Sequence, residues 1–151
     1  KNGVLISGGG TNLQALIDKQ GTVLKSGKIV VYAQITVRRT VLNVKNAGIA
    51  TKVIRKNADC GGDNDEFNRQ ICAYMKEMDV DVIVLAGFLA ILGGDLLKDT
   101  QIRLSISTRH LYRHFAVTAF TIESTSGALD YGVKVTGATA HLVNEITDGG
   151  R

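Results

Sequence analysis

The sequence predicts a doubly wound α/β domain, in which a mostly parallel, twisted β-sheet carries helices on both faces. Short apolar, β-branched runs alternate along the chain with segments whose apolar residues recur at helical spacing. One run, residues 79–87 (DVDVIVLAG), is almost continuously apolar toward its end, as expected of a strand buried on both faces of a parallel sheet. Strands that alternate with helices form right-handed βαβ units, which build such a sheet.

The predicted elements follow one another in a regular order. A strand at residues 3–7 leads through glycines 8–10 into an amphipathic helix. Residues 28–37 predict a second strand, and the helix after it stops at Gly48, because glycine favours helix termini. Further strands are expected at residues 50–55, 79–87, 101–107 and 134–143, and a further helix near residues 125–131.

One helix has both a clear start and a clear buried face. Asp63, followed three residues later by Glu66, is typical of a helix N-terminus. Apolar residues then recur at helical spacing, which indicates core packing rather than a ligand-binding face. They are Phe67, Ile71, Tyr74, Met75 and Met78.

Length and composition predict one domain, residues 1–151, since 44% of the chain is hydrophobic. The longest apolar run, residues 81–92, is shorter than the roughly 20 residues that span a bilayer, and the chain start lacks the pattern of a signal peptide. Cys60 and Cys72 form neither a disulfide framework nor a metal-ligand cluster. These features predict a cytoplasmic protein without a membrane partner or a metal.

The net charge of +4 suits anionic ligands, but the basic residues are scattered and aromatic residues make up only 5% of the chain. This composition disfavours nucleic acid as a partner, because single strands are bound largely by aromatic stacking.

The most informative motif is the glycine-rich stretch SGGGTN, residues 7–12. A bare loop between a strand and a helix lets backbone N–H groups and the helix dipole approach an anion, although a tight packing turn would look similar. A dinucleotide-binding site would need a third glycine at the position of Leu13, and its absence disfavours an NAD site. Arg38 and Arg39 after the second strand leave an NADP site as a third hypothesis. No Gly-Lys-Ser/Thr follows the glycines, which excludes a P-loop.

The order of several segments resembles the glycinamide ribonucleotide transformylases, the folate-dependent formyltransferases of purine biosynthesis. The resemblance covers nearly the whole chain, and SGGGTN is its most specific part. It implies a Rossmann-like fold and transfer of the formyl group of 10-formyltetrahydrofolate to the amino group of glycinamide ribonucleotide, without a metal. The segments are VLISGGGTNLQALID, AGIAT, DVIVLAGFLAIL, ALDYGVKVTGATAHLV and TDGG.

The resemblance also implies where the two substrates bind. The ribonucleotide phosphate is expected at Gly10, Thr11 and Asn12. The folate pteridine is expected against a second set of residues, in which Ala90 stands where the family usually has a basic or polar residue. That set is Leu89, Ala90, Leu92, Val143 and Asn144.

The reaction needs hydrogen-bond donors for an oxyanion and a route for the amine proton. Asp148 in TDGG matches the family's catalytic aspartate, whereas Ser105 and Ser107 stand where the family has asparagine and histidine. Serine donates one hydrogen bond but carries no charge near neutral pH. His110, three residues past the histidine position, is a candidate substitute, and His114 is a further histidine nearby.

Three explanations of these departures are open: a variant that keeps the pocket but has lost catalysis, a substitute histidine, or a recorded sequence that departs from the natural one between residues 105 and 127. His141 matches a histidine of the family and is expected to line the site or to lie in the core.

The alternative function is a non-catalytic nucleotide-binding or folate-binding homologue. We expect the chain to lack the family's C-terminal strand and helix; the sequence leaves the oligomeric state open.

Overall fold

The computed structural model describes residues 1–25, 27–33, 44–93, 95–98, 103–108, 132, 134, 137 and 139–143. None of the helices in these ranges is long and apolar enough to cross a membrane. The strands are β1 (Asn2–Ile6), β2 (Ile29–Ala33), β3 (Thr51–Val53), β4 (Val82–Leu85), β5 (Arg103–Thr108) and β6 (Thr139–Leu142). The helices are α1 (Thr11–Lys19), α2 (Lys56–Asp59), α3 (Asn64–Glu77) and α4 (Asp95–Lys98).

The strands form one sheet in the order β3-β2-β1-β4-β5-β6. All neighbouring pairs are parallel except β5 and β6, which are antiparallel. The chain forms β1, β2 and β3 toward one edge of the sheet, then crosses over and forms β4, β5 and β6 toward the other edge. The strand order therefore reverses between β1 and β4. Ligands of doubly wound sheets bind at such a reversal, outside the carboxyl ends of the strands.

Apolar side chains of β1 point alternately to the two faces of the sheet. Leu5 belongs to a core cluster with Phe67 of α3, whereas Val4 and Ile6 belong to a second cluster with Leu13 of α1. Helices therefore cover both faces. Together with the strand order, this confirms the predicted doubly wound, mostly parallel fold.

The predicted start and buried face of α3 are both confirmed. The Asp63 side chain accepts a hydrogen bond from the backbone N–H of Asp65 at 2.9 Å, which satisfies one of the N–H groups that a helix start leaves without a helical partner. Phe67, Ile71 and Met75 are fully buried, and Tyr74 is nearly so. The stripe is therefore part of the core, as its spacing predicted.

The strand predicted at residues 79–87 is wrong at both ends, because the strand occupies only Val82–Leu85. Asp79 has φ 56°, and its N–H donates to the carbonyl of Lys76 at 3.0 Å, while the N–H of Val80 donates to the carbonyl of Met75 at 3.0 Å. This left-handed turn ends α3. At the other end the chain turns at Gly87, whose φ is 68°. Residues 34–37 and 125–131, also predicted as strand and helix, lie outside the described residues.

Asp79→Gly should stabilise the protein, because glycine adopts the left-handed conformation without the steric strain of a Cβ atom. We expect the free energy of unfolding to rise by about 0.5 to 1 kcal/mol in urea titration. Asp79→Ala is the matched control, since it also removes the carboxylate that contacts the Lys1 ammonium but keeps the strain. A gain with alanine equal to that with glycine would contradict this account.

Candidate functional site

The candidate site lies at the carboxyl ends of β1 and β4, where the strand order reverses. Two segments meet there: residues 8–10, which we name the glycine loop, and residues 88–93, which we name the 88–93 loop. The glycine loop follows β1 and leads into α1. The 88–93 loop follows β4. The two predicted binding regions are therefore neighbours in the fold, although about 80 residues separate them in the chain.

The glycine loop ends in a conformation that favours glycine. Gly10 has φ 73° and is the N-cap of α1, and its carbonyl accepts the N–H of Gln14 at 2.8 Å. Gly8 and Gly9 are exposed, and a Cβ atom on either would meet no atom within 4 Å. Thr11 opens the helix, whose first turn contains no acidic side chain. Backbone N–H groups at a helix start lack helical acceptors, so this loop can accept an anion.

Ser7 joins the two loops. Its backbone N–H donates to the carbonyl of Gly87 at 3.1 Å, and its side-chain Oγ accepts the N–H of Leu89 at 2.9 Å. The residue is only 4% exposed. This hydrogen bond from a buried hydroxyl ties the start of the 88–93 loop to the end of β1.

The far end of the same loop is held by α3. Asn68, 2% exposed, accepts the N–H of Gly93 on Oδ1 at 3.4 Å and donates from Nδ2 to the carbonyl of Asn64 at 2.7 Å. The Asn64 side chain donates to the carbonyl of Ile91 at 3.4 Å. Sequence reasoning missed Ser7 and Asn68. One feature of the sequence could have indicated Asn68: its polar amide follows Phe67 on the otherwise apolar face of the helix.

The structure places three of the predicted folate-binding residues in or against one core cluster. Leu92 is buried in the core cluster that contains Leu5 and Phe67, and Ala90 and Val143 pack against that cluster with part of their surface exposed. Leu89 points into solvent, with 57% of its surface exposed.

The predicted catalytic serines lie on β5, the strand next to β4. Ser105 is half-buried and pairs with Val84 of β4 and with Leu142 of β6. Ser107 lies two residues nearer the carboxyl end of β5, opposite Ala140. The other predicted residues lie outside the described part of the chain: Arg38, Arg39, His110, His114, Asn144 and Asp148.

His141 is buried, and its Nδ1 lies 3.1 Å from the carbonyl oxygen of Leu142. It pairs with Ile106, whereas Leu142 pairs with Ser105. Because paired residues share a face of the sheet and successive residues alternate, His141 and Ser105 lie on opposite faces. His141 therefore does not supply an imidazole beside Ser105.

The described residues contain no group of three histidine, cysteine, aspartate or glutamate side chains placed to hold a metal ion. Burial raises the pKa of the Cys60 thiol, and the carboxylates of Glu66, Asp59 and Asp63 raise it further. The thiol therefore stays protonated at neutral pH and is a poor nucleophile.

Comparison with known proteins is consistent with this geometry. A family model described as formyl transferase matches residues 1–151. The chain is 34% identical over 149 residues to the human trifunctional purine biosynthetic protein adenosine-3, covering 98% of this chain and 14% of that protein. It is 33% identical over 156 residues to the phosphoribosylglycinamide formyltransferase of Haemophilus influenzae, covering 99% of this chain and 68% of that protein.

Among solved structures, glycinamide ribonucleotide transformylase 1 from Symbiobacterium toebii superposes with a TM-score of 0.84 at 27% identity. The match covers 97% of this chain and 67% of that one. The chain thus spans a small part of the trifunctional relatives and about two thirds of the single-function bacterial proteins. The match along the whole chain shows that the protein belongs to the formyl transferase family.

Proposed function

We propose that the protein transfers the formyl group of 10-formyltetrahydrofolate to the amino group of glycinamide ribonucleotide, a step of purine biosynthesis. The observation that carries the proposal is the junction at Ser7, which holds a glycine loop suited to phosphate beside an apolar loop. The relatives named as phosphoribosylglycinamide formyltransferases support the same reaction. The proposal takes residues 1–151 as one domain that acts in the cytoplasm without a metal.

The ribonucleotide phosphate binds at Gly10, Thr11 and Asn12 in this proposal. The left-handed Gly10 turns the chain into α1. The partial positive charge at the helix start attracts a phosphate, and Thr11 adds a hydroxyl donor. The open space around Gly8 and Gly9 leaves room for the ligand to approach the backbone.

The folate ring binds against the 88–93 loop, which is the apolar side of a crevice that we infer between this loop and the glycine loop. Leu89 and Ile91 expose 57% and 76% of their surfaces, whereas Leu92 of the same loop is buried. Exposed aliphatic side chains of this kind can cover a flat heteroaromatic ring, and the resulting burial favours binding. Val143 packs against the same cluster, and we assign Asn144 to the same pocket by family resemblance.

We assign the chemical step to residues at the end of β5 and in the segment of the chain that follows β6. The substrate amine attacks the formyl carbon, an oxyanion forms, and a proton passes from the amine to the folate nitrogen as the C–N bond to folate breaks. The hydroxyls of Ser105 and Ser107 can donate to the oxyanion, and Asp148 accepts a proton. His110 is the candidate imidazole.

A non-catalytic binding protein is the second candidate, and one observation favours it. Ser105 and Ser107 stand where the family has asparagine and histidine. The direct test mixes the protein with both substrates and follows formylated product and tetrahydrofolate. Product formation supports the enzyme, whereas binding of both substrates without turnover supports the binding protein.

Ser105→Asn with Ser107→His should raise the rate of formyl transfer. An amide and an imidazole supply better-placed donors than two hydroxyls, and a single oxyanion donor is worth about a hundredfold to a thousandfold in kcat. We expect a gain of at least about a hundredfold, without a comparable change in the Kd of glycinamide ribonucleotide. Each single variant, Ser105→Asn and Ser107→His, serves as a control for the pair. An unchanged rate would argue against the assigned positions.

Asp148→Asn should abolish formyl transfer, because an amide cannot accept the proton. Binding of glycinamide ribonucleotide, measured by calorimetry, should remain nearly unchanged, since the phosphate is held at the glycine loop. The conservative change Asp130→Asn is the control. Equal loss of binding and turnover in Asp148→Asn would contradict the catalytic role.

Gly9→Ala should weaken ribonucleotide binding while the protein folds normally. The added Cβ meets no protein atom within 4 Å, so the free energy of unfolding should change by less than about 0.5 kcal/mol. The methyl group would occupy space that the phosphate needs, and we expect at least about a tenfold rise in Kd. Gly93→Ala, also without a close neighbour, is the matched control. Equal affinities in both variants would exclude the glycine loop as the phosphate site.

A further inference from the structure

The pairing of β1 with β4 continues beyond the last paired residues through Ser7. Within and just after the strands, the N–H of Ala86 donates to the carbonyl of Leu5 at 2.9 Å, and the N–H of Ser7 donates to the carbonyl of Gly87 at 3.1 Å. The chain then turns at Gly87, and the Ser7 side chain accepts the N–H of Leu89 at 2.9 Å. A side-chain oxygen therefore holds the loop where the backbone of β1 no longer reaches it.

Because Ser7 lies between two loops, the loss of its side-chain hydrogen bond should affect one loop more than the other. The backbone N–H of Ser7 holds Gly87 whatever side chain stands at position 7. Only the hydroxyl reaches Leu89, which begins the exposed apolar part of the 88–93 loop. The glycine loop keeps a hydrogen bond of its own, from the N–H of Gln14 to the carbonyl of Gly10 at 2.8 Å. Removing the hydroxyl should therefore loosen the apolar loop more than the glycine loop.

Burial makes the hydroxyl hard to replace. Ser7 is 4% exposed, so an alanine there leaves only a small gap in packed protein where the Oγ atom was. Leu89 is 57% exposed, so its N–H then turns toward water or loses its acceptor. Without this hydrogen bond, the backbone that carries Leu89 and Ala90 is no longer held to β1.

We propose that Ser7 is a positioning residue, whose hydroxyl fixes the 88–93 loop so that the folate side of the crevice is formed before folate binds. The inference rests on the proposed function, which assigns folate to this loop and ribonucleotide phosphate to the glycine loop. Ser7 touches neither reacting atom; it acts through Leu89. A preformed loop does not have to be ordered during binding, which strengthens affinity.

The test measures two Kd values separately by calorimetry in the full chain, with tetrahydrofolate and glycinamide ribonucleotide as probes. In Ser7→Ala, we expect the Kd of tetrahydrofolate to rise about tenfold and the Kd of the ribonucleotide to change less than about twofold. Ser7→Thr keeps the hydroxyl and should restore folate affinity to within about threefold. Ser7→Cys, with a weakly accepting sulfur, takes the place of alanine if Ser7→Ala does not fold.

Thr51→Val is the matched control for a general loss of stability. Thr51 lies on β3, at an edge of the sheet and away from β1, and its hydroxyl donates to the carbonyl of Ile49 at 3.1 Å. Its loss should lower stability without changing either Kd. An effect of Thr51→Val on folate affinity as large as that of Ser7→Ala would overturn the positioning role.

The outcomes separate this inference from the proposed function. If the unaltered chain binds both probes but Ser7→Ala binds folate equally well, or loses both ligands equally, the positioning role is wrong and the proposed function stands. If Ser7→Thr binds folate as weakly as Ser7→Ala, the hydroxyl is not the cause and the role is again wrong. If the unaltered chain binds neither probe, the proposed function fails and the inference fails with it.

Discussion

The structure depends on β1, a central strand buried on both faces. Val4, Leu5 and Ile6 expose at most 2% of their surfaces. Its N–H and C=O groups have no access to water, so they need a strand on each edge, and β2 and β4 supply these. Its apolar side chains need helices on each face, which α1 and α3 supply. Because β1 comes first in the chain and has a later strand on each edge, the strand order reverses beside it, which is where the candidate site lies.

The polar groups buried near this site hold a loop without regular secondary structure. In the part of the chain that the structure describes, the buried polar residues are Ser7, Asn68 and His141. The first two accept backbone N–H groups at the two ends of the 88–93 loop. Buried side chains that satisfy loop backbone stabilise the fold and restrict the loop to one conformation. The stability of the domain and the shape of the site therefore depend on the same hydrogen bonds.

The proposed function assigns binding and chemistry to different parts of the sheet. The glycine loop and the 88–93 loop lie between β1 and β4, whereas Ser105 and Ser107 lie on β5, outside β4. In that proposal, the two serines lie on a strand that carries neither loop. A change on β5 would then alter the groups offered to the transition state without changing either loop, and binding would persist while turnover is low.

The sequence by itself determined the fold class, the buried stripe of α3 and the start of that helix at Asp63, because apolar spacing and local capping depend on neighbours in the chain. It also indicated bare backbone at glycines 8–10, and within this run the structure gives Gly10 a φ of 73°. It could not place the end of α3, because a valine after Asp79 fits a strand as well as a helix cap. Only the tertiary structure decided that Ser7 accepts the N–H of Leu89, that Asn68 accepts that of Gly93, and that His141 faces away from Ser105. These contacts join residues 25 or more positions apart or depend on strand register, and no local pattern encodes either.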